Sequence, residues 1–313
     1  MTRARESCGG VDTSERGGRL RPAGALALAG VRPTRSKGQN FLVQPRVADR
    51  IVEAARIASG DDVIEVGPGL GILSERIAGR PMRRLTLIEL DERLASQLRE
   101  HFVADARVVV INRDFLTLAP HDFLVPAPRD FEISPDAPQR VVANLPFNVA
   151  AAILERLCAM RARIARMVLM FQREVAERIR SRPGDHNYGA LSVYTAMYWE
   201  IEGHFRVSAG SFHPKPKVDA EVLTFAPRLP MPFAPEEESA VLATVRAAFS
   251  APRKTLRNAI GRALARESAA LEEAFRRAAI DPAARAATLT VGDFVRLARA
   301  LAPDSQHRNE RDA

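Results

Sequence analysis

Along this chain the apolar residues switch repeatedly between two periods. Short aliphatic and β-branched runs occupy residues 63–66, 84–89, 108–111, 140–143 and 167–171, as expected of strands buried on both faces. Between them apolar positions recur at helical spacing: Val47, Ile51, Val52 and Ala55 before the first run, Ile72, Leu73 and Ile77 after it, and residues 94–102 after the second. This alternation predicts βαβ units around a parallel sheet. Further helices are predicted from Gln172 onward and from Gly189 toward Met197, then extended chain at 201–207 and an alternating strand at 221–225. Residues 119–139 hold five prolines and no clear period, which predicts an exposed loop.

Domain boundaries follow from the same pattern. Residues 1–35 are rich in Arg, Gly and Ala without a sustained period and read as a disordered leader. An α/β domain is expected over 36–230. Four prolines within 227–235 mark a linker. A small all-helical domain is expected over 235–303, with Val241, Leu242, Val245, Ala248 and Phe249 on one helix face, and a disordered tail over 304–313.

Composition narrows the class. With 313 residues and 46% hydrophobic content the chain has enough apolar material for a full core, and no apolar run approaches the roughly 18 residues of a membrane span. Cys8 and Cys158 are the only cysteines and the six histidines are scattered. No disulfide framework or metal site is expected, and the cysteine usage fits the reducing cytoplasm. The net charge of +8 points to a polyanionic partner. Residues 1–40 hold eight basic against three acidic residues, so much of that excess sits in the leader. Arginine outnumbers lysine by 42 to 4, which suits bidentate phosphate contacts and equally fits a genome rich in G and C.

The candidate chemistry begins where the first strand opens into glycines. Glu65-Val66-Gly67-Pro68-Gly69-Leu70-Gly71 places glycine at every second position of a strand-to-helix turn, where positive φ and close ligand approach favour it. A dinucleotide fingerprint needs glycine at first, third and sixth positions, so the spacing weakens a nicotinamide reading. Glu65 at the strand end would repel a pyrophosphate and welcome a cationic ligand such as S-adenosylmethionine. Glu89 closes the second strand about 20 residues beyond the glycines, in the position of a ribose-hydroxyl acceptor. Asp114 follows the third strand and could accept from an adenine amino group. The fourth strand stops at Asn144-Leu145-Pro146-Phe147. An adenine amine is a poor nucleophile because its lone pair is delocalised. A side-chain amide oxygen from Asn144 and the Leu145 carbonyl, accepting its two protons, would pyramidalise it. Pro146 stiffens the turn, and Phe147 offers a stacking face to a flipped base. Phe212, in the loop Phe212-His213-Pro214-Lys215-Pro216-Lys217-Val218, is expected to complete a sandwich around that base. Arg253 and Lys254 are expected in the first turn of a helix capped by Ser250, where their cost against the helix dipole makes sense if they meet phosphate.

Together with Gln39-Asn40-Phe41-Leu42, Glu89-Leu90-Asp91 and Arg253-Lys254-Thr255-Leu256-Arg257-Asn258, these stretches resemble the ribosomal RNA adenine dimethyltransferase family, specifically its bacterial small-subunit group. The resemblance covers roughly residues 37–301. It implies a Rossmann-like class I methyltransferase domain with a seven-stranded, mostly parallel sheet and a helical C-terminal domain. It implies S-adenosylmethionine as cofactor, 16S ribosomal RNA in the small subunit as partner, and a monomer acting without metal. By that similarity Asn40, Leu42, Gly67, Glu89, Asp114 and Asn144 line the cofactor site, joined by Glu65, Gly69 and Gly71. Lys215, Lys217, Arg253, Lys254 and Arg257 are the expected RNA contacts. Two positions depart from the family pattern: Phe147 stands where Tyr is usual, and Ala220 where Ser is usual. The related large-subunit methyltransferases of macrolide resistance share the site motifs, and a ribosome-assembly or transcription factor retaining the fold is the alternative from another class.

Overall fold

The computed structural model describes residues 40–118 and 139–302. The expected leader and tail, and nearly all of the proline-rich stretch, lie outside the described residues. In chain order the elements are β1 (Phe41–Leu42), α1 (Pro45–Ala54), β2 (Asp62–Val66), α2 (Ile72–Ala78), β3 (Arg84–Glu89), α3 (Glu92–His101), β4 (Val108–Asn112) and β5 (Gln139–Asn144). They continue with α4 (Ala150–Ala159), β6 (Ile164–Gln172), α5 (Arg173–Arg180), α6 (Ala190–Tyr198), β7 (Trp199–Val207), β8 (Phe212–His213) and β9 (Ala220–Pro227). Four helices close the chain: α7 (Glu238–Phe249), α8 (Leu256–Leu264), α9 (Ser268–Ala278) and α10 (Val291–Leu301).

Seven strands form one sheet in the order β4-β3-β2-β5-β6-β9-β7. The first five run parallel, and β9 inserts antiparallel between β6 and β7. Because strand side chains alternate faces, neighbours in sequence feed different cores. Val63, Leu85, Leu87, Val142 and Val168 pack with α1 and α2 on one face. Ile64, Ile88, Val141, Ala143, Met167 and Leu169 pack on the other, with α4 and α6. That second cluster runs on without a break through Val241, Val245, Ile260, Phe275 and Phe294, so the C-terminal helices share the core of the sheet. Among the described residues no helix is long and apolar enough to cross a membrane.

The structure corrects three local expectations. The loop from Ser211 contains β8, which pairs antiparallel with β1 through Phe41↔His213 and Leu42↔Phe212. The proline-rich 227–235 segment is pinned rather than free: Phe233 is buried and meets Tyr198 edge to face at 6.1 Å. Helix α8 starts at Leu256, and Ser250 instead closes α7, its hydroxyl donating to the Ala247 carbonyl at 2.7 Å. Arg253 and Lys254 therefore stand in the inter-helix turn and bear no dipole cost. The sequence signal misled because tertiary bonds replace the cap: Leu256 and Arg257 donate their N–H groups to the Ala284 and Pro282 carbonyls.

A core shared between sheet and C-terminal helices predicts a single thermal transition. Phe294 is fully buried, so Phe294→Ala should destabilise the whole protein by about 3–5 kcal/mol. Calorimetry should show the same single transition moved to lower temperature; loss of one helical unit alone would show two.

Candidate active site

The strand order reverses at β2, which has β3 on one side and β5 on the other. Ligands of open α/β sheets bind at such a reversal, outside the carboxyl ends of the strands. A cavity of about 330 Å³ lies there, the size of a small-ligand site. Asn40, Leu42, Glu65, Gly67, Gly69, Glu89, Asp114 and Asn144 line it, together with Leu145, Pro146 and Phe147.

Gly71 does not line the cavity. It takes φ 80° as the residue before α2, and a Cβ there would stand 3.1 Å from Leu98, so its role is to close the turn against α3. Gly69 matters more directly. At φ 57° it lies beneath the Phe41 ring, and a Cβ would come within 2.9 Å of that ring. Strand β1 is thus laid over the glycine loop at a distance only glycine permits.

Two carboxylates are buried in the wall. Glu89 accepts N–H bonds from Gly69 at 3.0 Å and Asp91 at 2.9 Å, one on each oxygen. Burial raises its pKa, opposed by those amide bonds. Glu65 is 1% exposed and accepts from the Ser74 hydroxyl at 2.6 Å. Desolvation pushes its pKa up to about 8, the Ser74 bond working against that shift. Glu65 was expected as a standing negative charge, whereas burial favours its neutral form. Asp114 uses Oδ1 to accept from the Leu116 N–H at 2.9 Å.

Asn144, at the end of β5, is the most constrained polar group. Its Nδ2 donates to the Asn40 carbonyl at 3.0 Å, which fixes which way the amide faces. Its Oδ1 is buried and has no hydrogen-bond partner. An orphaned buried acceptor is costly and calls for a donor from a ligand. The Leu145 N–H donates to the Met170 carbonyl at 3.3 Å, anchoring the tetrapeptide to β6. Pro146 stands beside Gly67, 3.6 Å from where a Cβ would be.

The expected aromatic sandwich is not formed. Phe212 is 4% exposed and belongs to the core with Leu42 and Val207, drawn in by the pairing of β8 with β1. Its ring meets Phe147 edge to face, with centroids 6.3 Å apart and planes at 65°, which leaves no parallel slot for a base. Phe147 is half-buried and lines the cavity, so of this pair it is the ring presented there. Lys215, Lys217, Arg253 and Lys254 are exposed. Arg257 is committed to an ion pair with Glu272 at 2.6 Å, a contact between helices that no local pattern encodes. Phe41, Leu90, Arg113 and Phe115 also line the cavity and were missed. Phe41 and Leu90 stood inside the quoted motifs without being assigned to the site, whereas Arg113 and Phe115 only flank Asp114.

Comparison with known proteins agrees with this geometry. The family model described as ribosomal RNA adenine dimethylase matches residues 32–303. Ribosomal RNA small subunit methyltransferase A of Thermobifida fusca (strain YX) is 38% identical over 287 residues, covering 89% of this chain and 95% of the relative. The protein of the same name from Geobacter metallireducens is 37% identical over 273 residues, covering 87% and 96%. Among solved structures, a dimethyladenosine transferase from Plasmodium falciparum superposes with a TM-score of 0.66 at 23% identity, covering 82% of this chain and 95% of the other. The 23S rRNA methyltransferase ErmE superposes with a TM-score of 0.61 at 27% identity, covering 84% and 99%. Since the family model spans the glycine loop, the Asn144 tetrapeptide and the C-terminal helices alike, the chain belongs to the ribosomal RNA adenine dimethylase family.

Proposed function

We propose that the protein dimethylates the exocyclic amines of adenines near the 3′ end of 16S ribosomal RNA in the small ribosomal subunit, as a cytoplasmic monomer using S-adenosylmethionine. The observation that carries this reading is that Asn144 lines the cavity and holds a buried Oδ1 with no hydrogen-bond partner. The two buried carboxylates and the glycine floor fit the donor. Glu89 keeps a lone pair on each oxygen for the ribose hydroxyls, and Asp114 keeps Oδ2 for an adenine amino group. Glu65 faces the donor's positive charge, and Asn40, Leu42, Gly67 and Gly69 shape the space. When bound, S-adenosylmethionine supplies an electrophilic methyl carbon.

The remaining work falls to the tetrapeptide. Asn144 Oδ1 and the Leu145 carbonyl accept hydrogen bonds from the target amine, which withdraws its lone pair from the ring and aims it at the methyl carbon. The new carbon–nitrogen bond would replace the carbon–sulfur bond, and the nitrogen, cationic after attack, would lose a proton to solvent. Pro146 has no N–H to compete at that turn. Phe147 stacks the flipped base on one side, while Phe212 supports Phe147 from behind. Lys215, Lys217, Arg253 and Lys254 meet RNA phosphate, and Arg257 contributes less because of Glu272.

Three outcomes test this reading. Incubation with labelled S-adenosylmethionine should place dimethyladenosine in unmethylated small subunits and none in large subunits, by mass spectrometry; label confined to large subunits would contradict it.

The Glu65 carboxyl, with its pKa near 8, should couple cofactor binding to proton release. Above pH 8 the acid is already ionised; below it, a cation must displace the proton, so affinity should fall with pH by up to about tenfold per unit. Calorimetry near pH 7 in buffers of different ionisation enthalpy should detect that released proton in wild type and not in Glu65→Gln. Equal proton release in both would remove Glu65 from the account.

Asn144→Ala should slow single-turnover transfer by about a hundredfold or more, in the range of losing one transition-state hydrogen bond. Phe147→Ala should cost roughly ten- to a hundredfold through lost stacking, and Phe147→Tyr should be tolerated. Wild-type rates in Asn144→Ala on saturated RNA would refute the role of that amide.

A further inference from the structure

The pairing of β1 with β8 is bracketed by cations at both ends. The pair is antiparallel, so the chain leaving β1 and the chain leaving β8 depart in opposite directions. Beyond β8 come the exposed Lys215 and Lys217. At the opposite end, past the Val43 N–H bond to the Ser211 carbonyl at 2.9 Å, α1 begins. Its Arg46 and Arg50 are exposed and one helical turn apart, hence on one face.

These arginines are unpaired. Among the described residues neither Arg46 nor Arg50 has a carboxylate partner. Asp49, between them in sequence, is taken by Arg76 at 2.7 Å. Glu53 follows on the same helix, three residues and about 4.5 Å along the axis beyond Arg50, without pairing to it, and bounds the patch on the side away from β1. Arg50 instead lays its guanidinium over the Phe205 ring, 3.9 Å from the centroid. Phe205 is half-buried and packs on the cluster that contains Leu42 and Phe212. A guanidinium seated over a ring loses little further freedom on binding and keeps its N–H donors for phosphate.

We infer that Arg46 and Arg50 form a second RNA contact, taking the phosphates of the strand that flanks the target adenine as it crosses the β1–β8 pair from the Lys215 and Lys217 end. The inference rests on the proposed methylation of RNA at the adjoining cavity. It adds a surface on the N-terminal helix to the contacts expected from the β8 loop and the inter-helix turn. Phosphate is the chemistry these groups fit, because a protein partner's carboxylates would have to be unusually dense to engage two arginines and two lysines along one line.

The test compares wild type, the double variant Arg46→Gln with Arg50→Gln, and the double variant Arg46→Lys with Arg50→Lys on unmethylated small ribosomal subunits. Affinity is measured from low to physiological salt. The Gln variant should bind more weakly, and its log–log salt slope should be shallower by about 1.4 to 1.8 for two lost phosphate contacts. The Lys variant should keep the wild-type slope, and cofactor affinity by calorimetry should be equal in all three. An unchanged slope in the Gln variant, with wild type still methylating the subunits, would overturn this contact alone. A slope lost equally in the Lys variant would also overturn it, since charge would then not be the cause. Failure of wild type to methylate the subunits would overturn the underlying function as well.

Discussion

One hydrogen bond, from Asn144 Nδ2 to the Asn40 carbonyl, joins two parts of the site that are 104 residues apart. Without it the Asn144 amide could present either its donor or its acceptor to the cavity. With it the donor is committed to Asn40 and the acceptor is left buried and unpaired. The bond also depends on β1 lying in place. That in turn requires Gly69 beneath the Phe41 ring and β8 alongside Leu42. The cavity wall, the orientation of the Asn144 amide and the placement of the β8 loop therefore all depend on one short strand.

Electrostatics complement that geometry. A fully ionised Glu65 would be a charge without a cationic partner in a desolvated wall, so burial favours the neutral acid. Glu89, by contrast, is tied by two backbone N–H groups that hold its oxygens in fixed directions. The two acids thus do different work in one cavity: one answers charge, the other geometry.

Much of this was legible in the sequence, for a physical reason. Strand runs, the glycine turn, Glu89 and the Asn144 tetrapeptide are local patterns, each interpretable within a few residues, and the β2 to β6 core follows from them. What the sequence hid was set by contacts between distant segments. Phe212 reads as a loop aromatic until β8 pairs with β1, and Arg257 reads as a free cation until α9 brings Glu272 to it. The position of Arg253 and Lys254 was misjudged because carbonyls of Pro282 and Ala284, rather than Ser250, satisfy the start of α8. Gly71 shares the spacing of Gly67 and Gly69 but faces Leu98 instead of the cavity, a difference in direction that spacing does not encode.

The most direct measurement of the central claim is a crystal structure with S-adenosylhomocysteine and adenosine bound together. The account predicts the adenosine exocyclic nitrogen within about 3 Å of Asn144 Oδ1, with Nδ2 still on the Asn40 carbonyl. An amide turned over, with Nδ2 toward the adenine and the Asn40 bond broken, would contradict it.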